Sequence, residues 1–235
     1  MKNYKLLDET KTLSGGTVLR RIVATTTFTT FTLACGLTIV NAGDLGGWIE
    51  KESNLTDNAW VSDNAWVSGD AKVFGNAWIS GNAMVSDKAQ VSGSAKVSGV
   101  AWIYDRAKVS GNAWVHGEAE ACDDAKVSDN AEVTDYTLVS GEAQIFGNAK
   151  VSDNALVSGY TQVFGSACIG DNARILDNAR VFDNAWVYDD AQIHGDAQVY
   201  GDAKIYDDAQ VHGNAQISGT APRVYGKVEI ADDPQ

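Results

Sequence analysis

From Leu55 onward an apolar residue returns at every sixth position, as in "TDNAWVSDNAWVSGDAKV", residues 56–73. Stepping by six from Leu55, 28 hexads run to Pro222 without insertion or deletion. The first position is Leu, Val or Ile in 27 of them, with Ala121 the exception; the fifth is Ala in 26, with Thr137 and Thr161 the exceptions. Two apolar positions in six fit neither a helical stripe nor simple strand alternation. The third position is Gly or Asp in all 28 hexads, and the fourth is most often Asn or Asp. These residues tolerate left-handed or tightly turned backbone. Each hexad therefore predicts a short strand followed by a corner.

Three strands and three corners close a triangular coil of 18 residues, with the aliphatic residue inside and Ala where a corner pinches inward. The pattern predicts an all-β protein, a single-stranded parallel β-helix of about nine coils over 55–222, neighbouring coils lying about 4.8 Å apart. Outward residues 18 apart should then stack, and they resemble one another. Phe146, Phe164, Phe182 and Tyr200 form one series, His194 and His212 another, and Lys72, Gln90, Lys108, Lys126, Gln144, Gln162, Arg180, Gln198 and Gln216 a third. Residues flanking each inward aliphatic point outward, so three faces differ in character. One carries Trp60, Trp78, Trp114 and Trp186. The second carries Trp66, Met84, Trp102, Leu138 and Leu156 amid Ser, and the third pairs the Lys/Gln/Arg row with the Phe/Tyr row. Rows of like residues are expected to stabilise a solenoid by stacking on one another. A row of Trp, Met and Leu exceeds scattered surface apolars and points to an interface.

The hexad logic resembles the hexapeptide-repeat family: an aliphatic residue, then Gly, Ala, Glu or Asp, two free positions, a small residue and a further free one. The resemblance covers residues 55–222 and implies a left-handed coil, a handedness that periodicity alone does not supply. It departs at the second position, where only Gly170 fits. The phrase "AGDLGGWIEKESNLT" before the first "DNAWV" resembles uncharacterised hexapeptide-repeat proteins of bacteria and their phages or prophages, implying a setting in the bacterial cytoplasm. The best-known members are acyltransferases, commonly trimeric, that use a His and a loop projecting from a coil.

Both ends of a solenoid need covering. Residues 1–54, with "TVLRRIVATTTF" and "FTLACGLTIV" as two strands, are expected to form an N-terminal cap; residues 223–235, where the register slips by one at "VYGKVEI", a C-terminal cap and tail. The uncharged stretch at 22–43 is long enough to span a membrane, yet its seven Thr and its β-branched and aromatic content suit strands. No membrane role is expected.

The charge narrows the choice of partner. With 31 acidic against 18 basic residues and a net charge of −13, direct binding to a nucleic-acid backbone is disfavoured, because it requires Lys and Arg to displace counterions. Three cysteines at unrelated spacings, Cys35, Cys122 and Cys168, match neither a disulfide framework nor a metal motif, so free thiols are expected. His116, His194 and His212 occupy ordinary outward positions in "VHGE", "IHGD" and "VHGN". An uninterrupted rod offers them no loop to close a pocket. Phosphate-loop, dinucleotide, HExxH and nucleophile-elbow phrases are absent. No catalytic, cofactor or metal residue is expected. The expected function is a non-enzymatic scaffold that docks a protein partner or a second copy through Trp66, Met84, Trp102, Leu138 and Leu156. Two alternatives are an acidic nucleic-acid mimic, built on the nine Asp between Ile169 and Asn214, and an acyltransferase.

Overall fold

The computed structural model describes residues 2–32, 36–219 and 222–231. Among them the chain is all-β apart from one 3-10 turn, η1 (Glu52–Asn54). It divides into two compact units, residues 1–118 and 119–235.

The first unit opens with β1 (Tyr4–Thr12) and β2 (Val18–Ala24), an antiparallel pair. β2 also pairs antiparallel with β5 (Leu45–Ile49). Between them β3 (Phe28–Thr32) and β4 (Gly36–Val40) form a separate hairpin, so Thr29, Thr30, Thr32 and Thr38 lie in strands, and the run "FTLACGLTIV" expected as one strand belongs to two, with residues 33–35 outside the described residues. No helix among the described residues is long and apolar enough to cross a membrane.

β5 begins the solenoid. Its free edge pairs in parallel with Trp66–Val67, setting Trp48 opposite Trp66 and Ile49 opposite Val67. The parallel ladder thus reaches back into the segment expected as a cap, and the fully buried Ile49 lies one hexad before Leu55. What hides this hexad is its corner. η1 replaces the usual Gly or Asp, and the buried Asn54 side chain donates to the carbonyls of Gly69 and Ala71 (3.1 and 2.9 Å) while accepting from the Lys51 amide (2.8 Å). The glycine pair before it answers to space. A Cβ at Gly47 would sit 2.5 Å from the Ala65 carbonyl oxygen, and one at Gly46 would collide with the Ile22 side chain.

From Trp60 each hexad of this unit supplies a two-residue strand, and the strands pair in parallel at 18-residue intervals, as Met84 pairs with both Trp66 and Trp102. The inward aliphatics Val67, Val85 and Ile103 and the corner residues Ala65, Ala83 and Ala101 are all fully buried. All 28 third-position residues, 13 Asp and 15 Gly, have positive φ. Asp is the costlier choice there, and it brings an acceptor in return: Asp57 Oδ2 takes the amide of Gly75 at 3.0 Å, and Asp63 that of Gly81 at 2.9 Å.

The second unit repeats the arrangement. Glu120, Leu138, Leu156, Arg174, Gln192 and Gln210 stand in register on successive strands of one sheet. The interval then lengthens to 19: Arg223 pairs with Lys204 and Glu229 with Gln210. The one-residue slip read from the sequence is present, but "VYGKVEI" continues the ladder. Both Thr exceptions at the fifth position are buried and follow strongly exposed tyrosines, Tyr136 and Tyr160. Thr137 donates to the Thr134 carbonyl at 2.7 Å, whereas Thr161 Oγ1 is buried without a partner.

The sequence-predicted ladders form in this unit. Phe146, Phe164, Phe182 and Tyr200 stack at 4.8–4.9 Å with their planes within 3° of parallel, and the Arg180 guanidinium lies 5.4 Å from two of these rings. Rings stacked face to face turn only their edges to solvent. This row holds the coils in register and offers no flat platform.

Candidate docking surface

In the first unit the expected interface residues Trp66, Met84 and Trp102 occupy three consecutive strands in direct register. Each follows a corner Ala and precedes a buried aliphatic, so alternation turns it outward. Their order on the sheet follows from the 18-residue interval alone. The strip also has a member that the hexad phrase hides, since Trp48 stands opposite Trp66 and extends the row to four side chains over about 14 Å. The interval would have found it, Trp48 being 18 residues before Trp66. Trp48 is buried, its ring covered by the Arg21 guanidinium at 5.5 Å and the Lys11 ammonium at 6.0 Å. The cap thus closes one end of the row and leaves Trp66, Met84 and Trp102 partly open.

These three are half-buried, because a second outward row lies beside them. Ser68 and Ser86 are buried there. Trp102 Nε1 donates to Ser86 Oγ at 3.4 Å, Ser86 Oγ donates to Asp87 at 2.7 Å, and the Tyr104 ring packs against Trp102 at 4.4 Å. Trp102 is therefore preorganised: its ring is held by a hydrogen bond and an aromatic neighbour, and it has little side-chain entropy left to lose on docking.

Leu138 and Leu156, the other two expected residues, belong to the second unit, where they are direct register partners and half-buried. The most exposed tryptophan lies on another sheet: Trp186 is 42% accessible, with the Lys204 ammonium 4.4 Å from its ring and Tyr188 beside it. Burial, and then the charge of the neighbouring Cys168, pushes the Tyr188 phenol up to about 12. Tyr188 also explains Gly170, the one hexad whose second position matches the hexapeptide pattern. A Cβ there would lie 2.6 Å from the Tyr188 ring, so this glycine makes room for an aromatic neighbour.

The histidines sit in ring contacts. His116 stacks on Trp114 at 3.9 Å, and His194 on His212 at 5.0 Å. Carboxylates of Asp177 and Glu229 face His194 and His212 at 3.9 and 2.9 Å. Cys122 and Cys168 are free thiols, the latter raised by burial; Cys35 lies outside the described residues. The acidity of 169–214 has structural employment. Asp171, Asp177, Asp183, Asp189 and Asp207 accept corner amides of the following coil, and Asp190, Asp196 and Asp202 accept the side-chain amides of Asn172, Asn178 and Asn184.

Three segments, residues 77–93, 143–159 and 197–213, match the family model described as the YdcK Beta solenoid repeat. Each starts at the corner alanine of a hexad (Ala77, Ala143, Ala197) and ends on a left-handed glycine (Gly93, Gly159, Gly213), one residue short of a coil. The chain is thus similar to that solenoid repeat in both units. A comparison with curated proteins gave no match.

Proposed function

We propose that the chain is a non-enzymatic scaffold, acting in the cytoplasm of a bacterial host as a phage- or prophage-type protein, that docks a protein surface through the strip Trp66–Met84–Trp102. Leu138 and Leu156 serve as a smaller apolar contact on the second unit. One observation carries this reading: the row Trp66–Met84–Trp102 is in register and half-open, with the Trp102 ring held by Ser86 and Tyr104. Trp is prominent among residues that dominate protein interfaces, and fully burying each of the three side chains contributes on the order of 1.5–3 kcal/mol. The histidines support a structural part, since each ring packs on another ring. Replacing Trp66 and Trp102 by Ser should abolish self-association, seen in sedimentation as a shift toward the 25.0 kDa monomer, or capture of a partner from host lysate. Unchanged oligomeric state together with unchanged capture would refute the assignment. Acyl transfer from coenzyme A thioesters that disappears when His116, His194 and His212 are all changed to Asn would replace it with an enzymatic one.

A further inference from the structure

The first unit also contains a cleft of about 470 Å³ between the β3–β4 hairpin and the Trp60–Trp78 face of the coils. That volume lies within the ~300–1,000 Å³ range of small-ligand sites. The hairpin is fixed over the coils by Thr30, which is buried and donates to the Asn76 carbonyl at 2.7 Å, and by Phe28, which meets the Trp60 ring edge-on at 5.7 Å. The cleft is lined by Ile39 and Val40 of the hairpin and by Trp60, Trp78 and Ser80 of the coils.

The groups lining it are notable for what they are not engaged in. The Phe146–Tyr200 row closes on itself ring on ring, and Asn154 closes on Asn172 amide on amide. Here the half-buried Trp78 indole has no ring or cation against it among the described residues, and the Ser80 hydroxyl has no hydrogen-bond partner among them. Asp44 uses one carboxylate oxygen on the Asn41 amide (2.8 Å) and keeps the other. Lys96 rests on the Trp114 ring at 4.7 Å and pairs with no carboxylate among the described residues. Ile39 and Leu45 are more than half exposed at the rim.

We infer that this cleft binds a neutral carbohydrate, one or two pyranose units of a glycan chain. An indole face with a hydroxyl, a carboxylate and an ammonium around it matches a ring that has an apolar face of C–H groups and a circumference of hydroxyls. The hydroxyls both donate to Asp44 and accept from Lys96, and Ser80 does either. Nucleotides fit less well, because their phosphates would meet Asp44 and Asp63. A lipid chain would strand three polar groups. An arginine-bearing peptide could use Trp78 and Asp44 but would meet Lys96.

The test is a titration of the full chain with maltotetraose, cellotetraose and chitotriose, followed by tryptophan fluorescence and calorimetry, with a tetra-arginine peptide in parallel. At least one sugar should bind; Trp78→Ala should weaken it at least tenfold, Asp44→Asn several-fold, and Trp78→Phe, which keeps a ring, should retain part of the affinity. Trp186→Ala, in the other unit, should change nothing. No binding by any of the three sugars, binding that survives both Trp78→Ala and Asp44→Asn, or binding of the peptide alone would overturn the inference. The Trp66/Trp102 double variant should bind sugar normally, which separates this site from the docking strip.

Discussion

Asp129 Oδ2 accepts the backbone amide of Gly147, 18 residues further on, at 3.1 Å, while its own backbone is left-handed at φ +59. One residue makes the corner and also satisfies a donor that the next coil's corner would otherwise give to water. Asp129→Ala should therefore cost about 1–2 kcal/mol, combining lost αL tolerance with a lost hydrogen bond. Asp129→Asn, which keeps both properties in neutral form, should cost less. Thermal melts ranking Ala at or above Asn would show that the corner does not depend on this contact.

Val151 is fully buried between its register partners Val133 and Ile169. Val151→Asp places a carboxylate where no partner reaches it, and desolvation should cost several kcal/mol. A melting temperature within a degree or two of wild type would mean that the position does not face inward.

Two glycines separate close approach to rigid backbone from close approach to a movable ring. A methyl at Gly47 meets the Ala65 carbonyl oxygen, which the β5 ladder fixes, whereas one at Gly170 meets the Tyr188 ring. Gly47→Ala should destabilise by more than the ~1–3 kcal/mol typical of overpacking, and Gly170→Ala by less than Gly47→Ala. Chemical denaturation of the two variants gives the order directly.

Tyr4 ties the cap to the first coil, its hydroxyl lying 2.9 Å from the Glu52 carbonyl and 3.1 Å from that of Leu55. Burial, and secondarily the Glu52 charge, pushes its phenol up to about 12 from an ordinary 10.0. Because the folded value lies above the unfolded one, the contribution is fully present below pH 10 and is lost as pH rises toward 12. Tyr4→Phe should flatten that part of the stability curve and cost about 0.5–1.5 kcal/mol at neutral pH. An unchanged alkaline limb would place the titration elsewhere.

The aliphatic and alanine positions made the coil, its register and its ladders legible, because in a triangular solenoid every sixth residue meets the same environment. Where the chain departs from that environment the signal faded. Ile49 is in phase, but η1 and Asn54 form its corner with different chemistry, so the hexad phrase begins only at Leu55 and Trp48 falls outside it. At the other end the extra residue before Arg223 looked like a stop, although backbone pairing tolerates an insertion at a corner. Trp66, Met84 and Trp102 were legible as a row from spacing, but their half-burial was not, since it depends on Ser86 and Tyr104 beside them. The cleft over Trp78 could not be read at all. It exists because a hairpin far outside the repeat is anchored by Thr30 and Phe28.

The 18-residue interval that register partners keep from Glu120 to Gln216 has a consequence for how such a gene changes. Val139 pairs above Val157, and Val157 above Ile175. Removing any 18 consecutive residues from this stretch brings together strands that already share phase, face and corner geometry. The near-identical hexads are also the sites at which misaligned recombination would make that cut. Length in this stretch can therefore change by a whole coil while the backbone ladder and the phase of the buried aliphatics are kept.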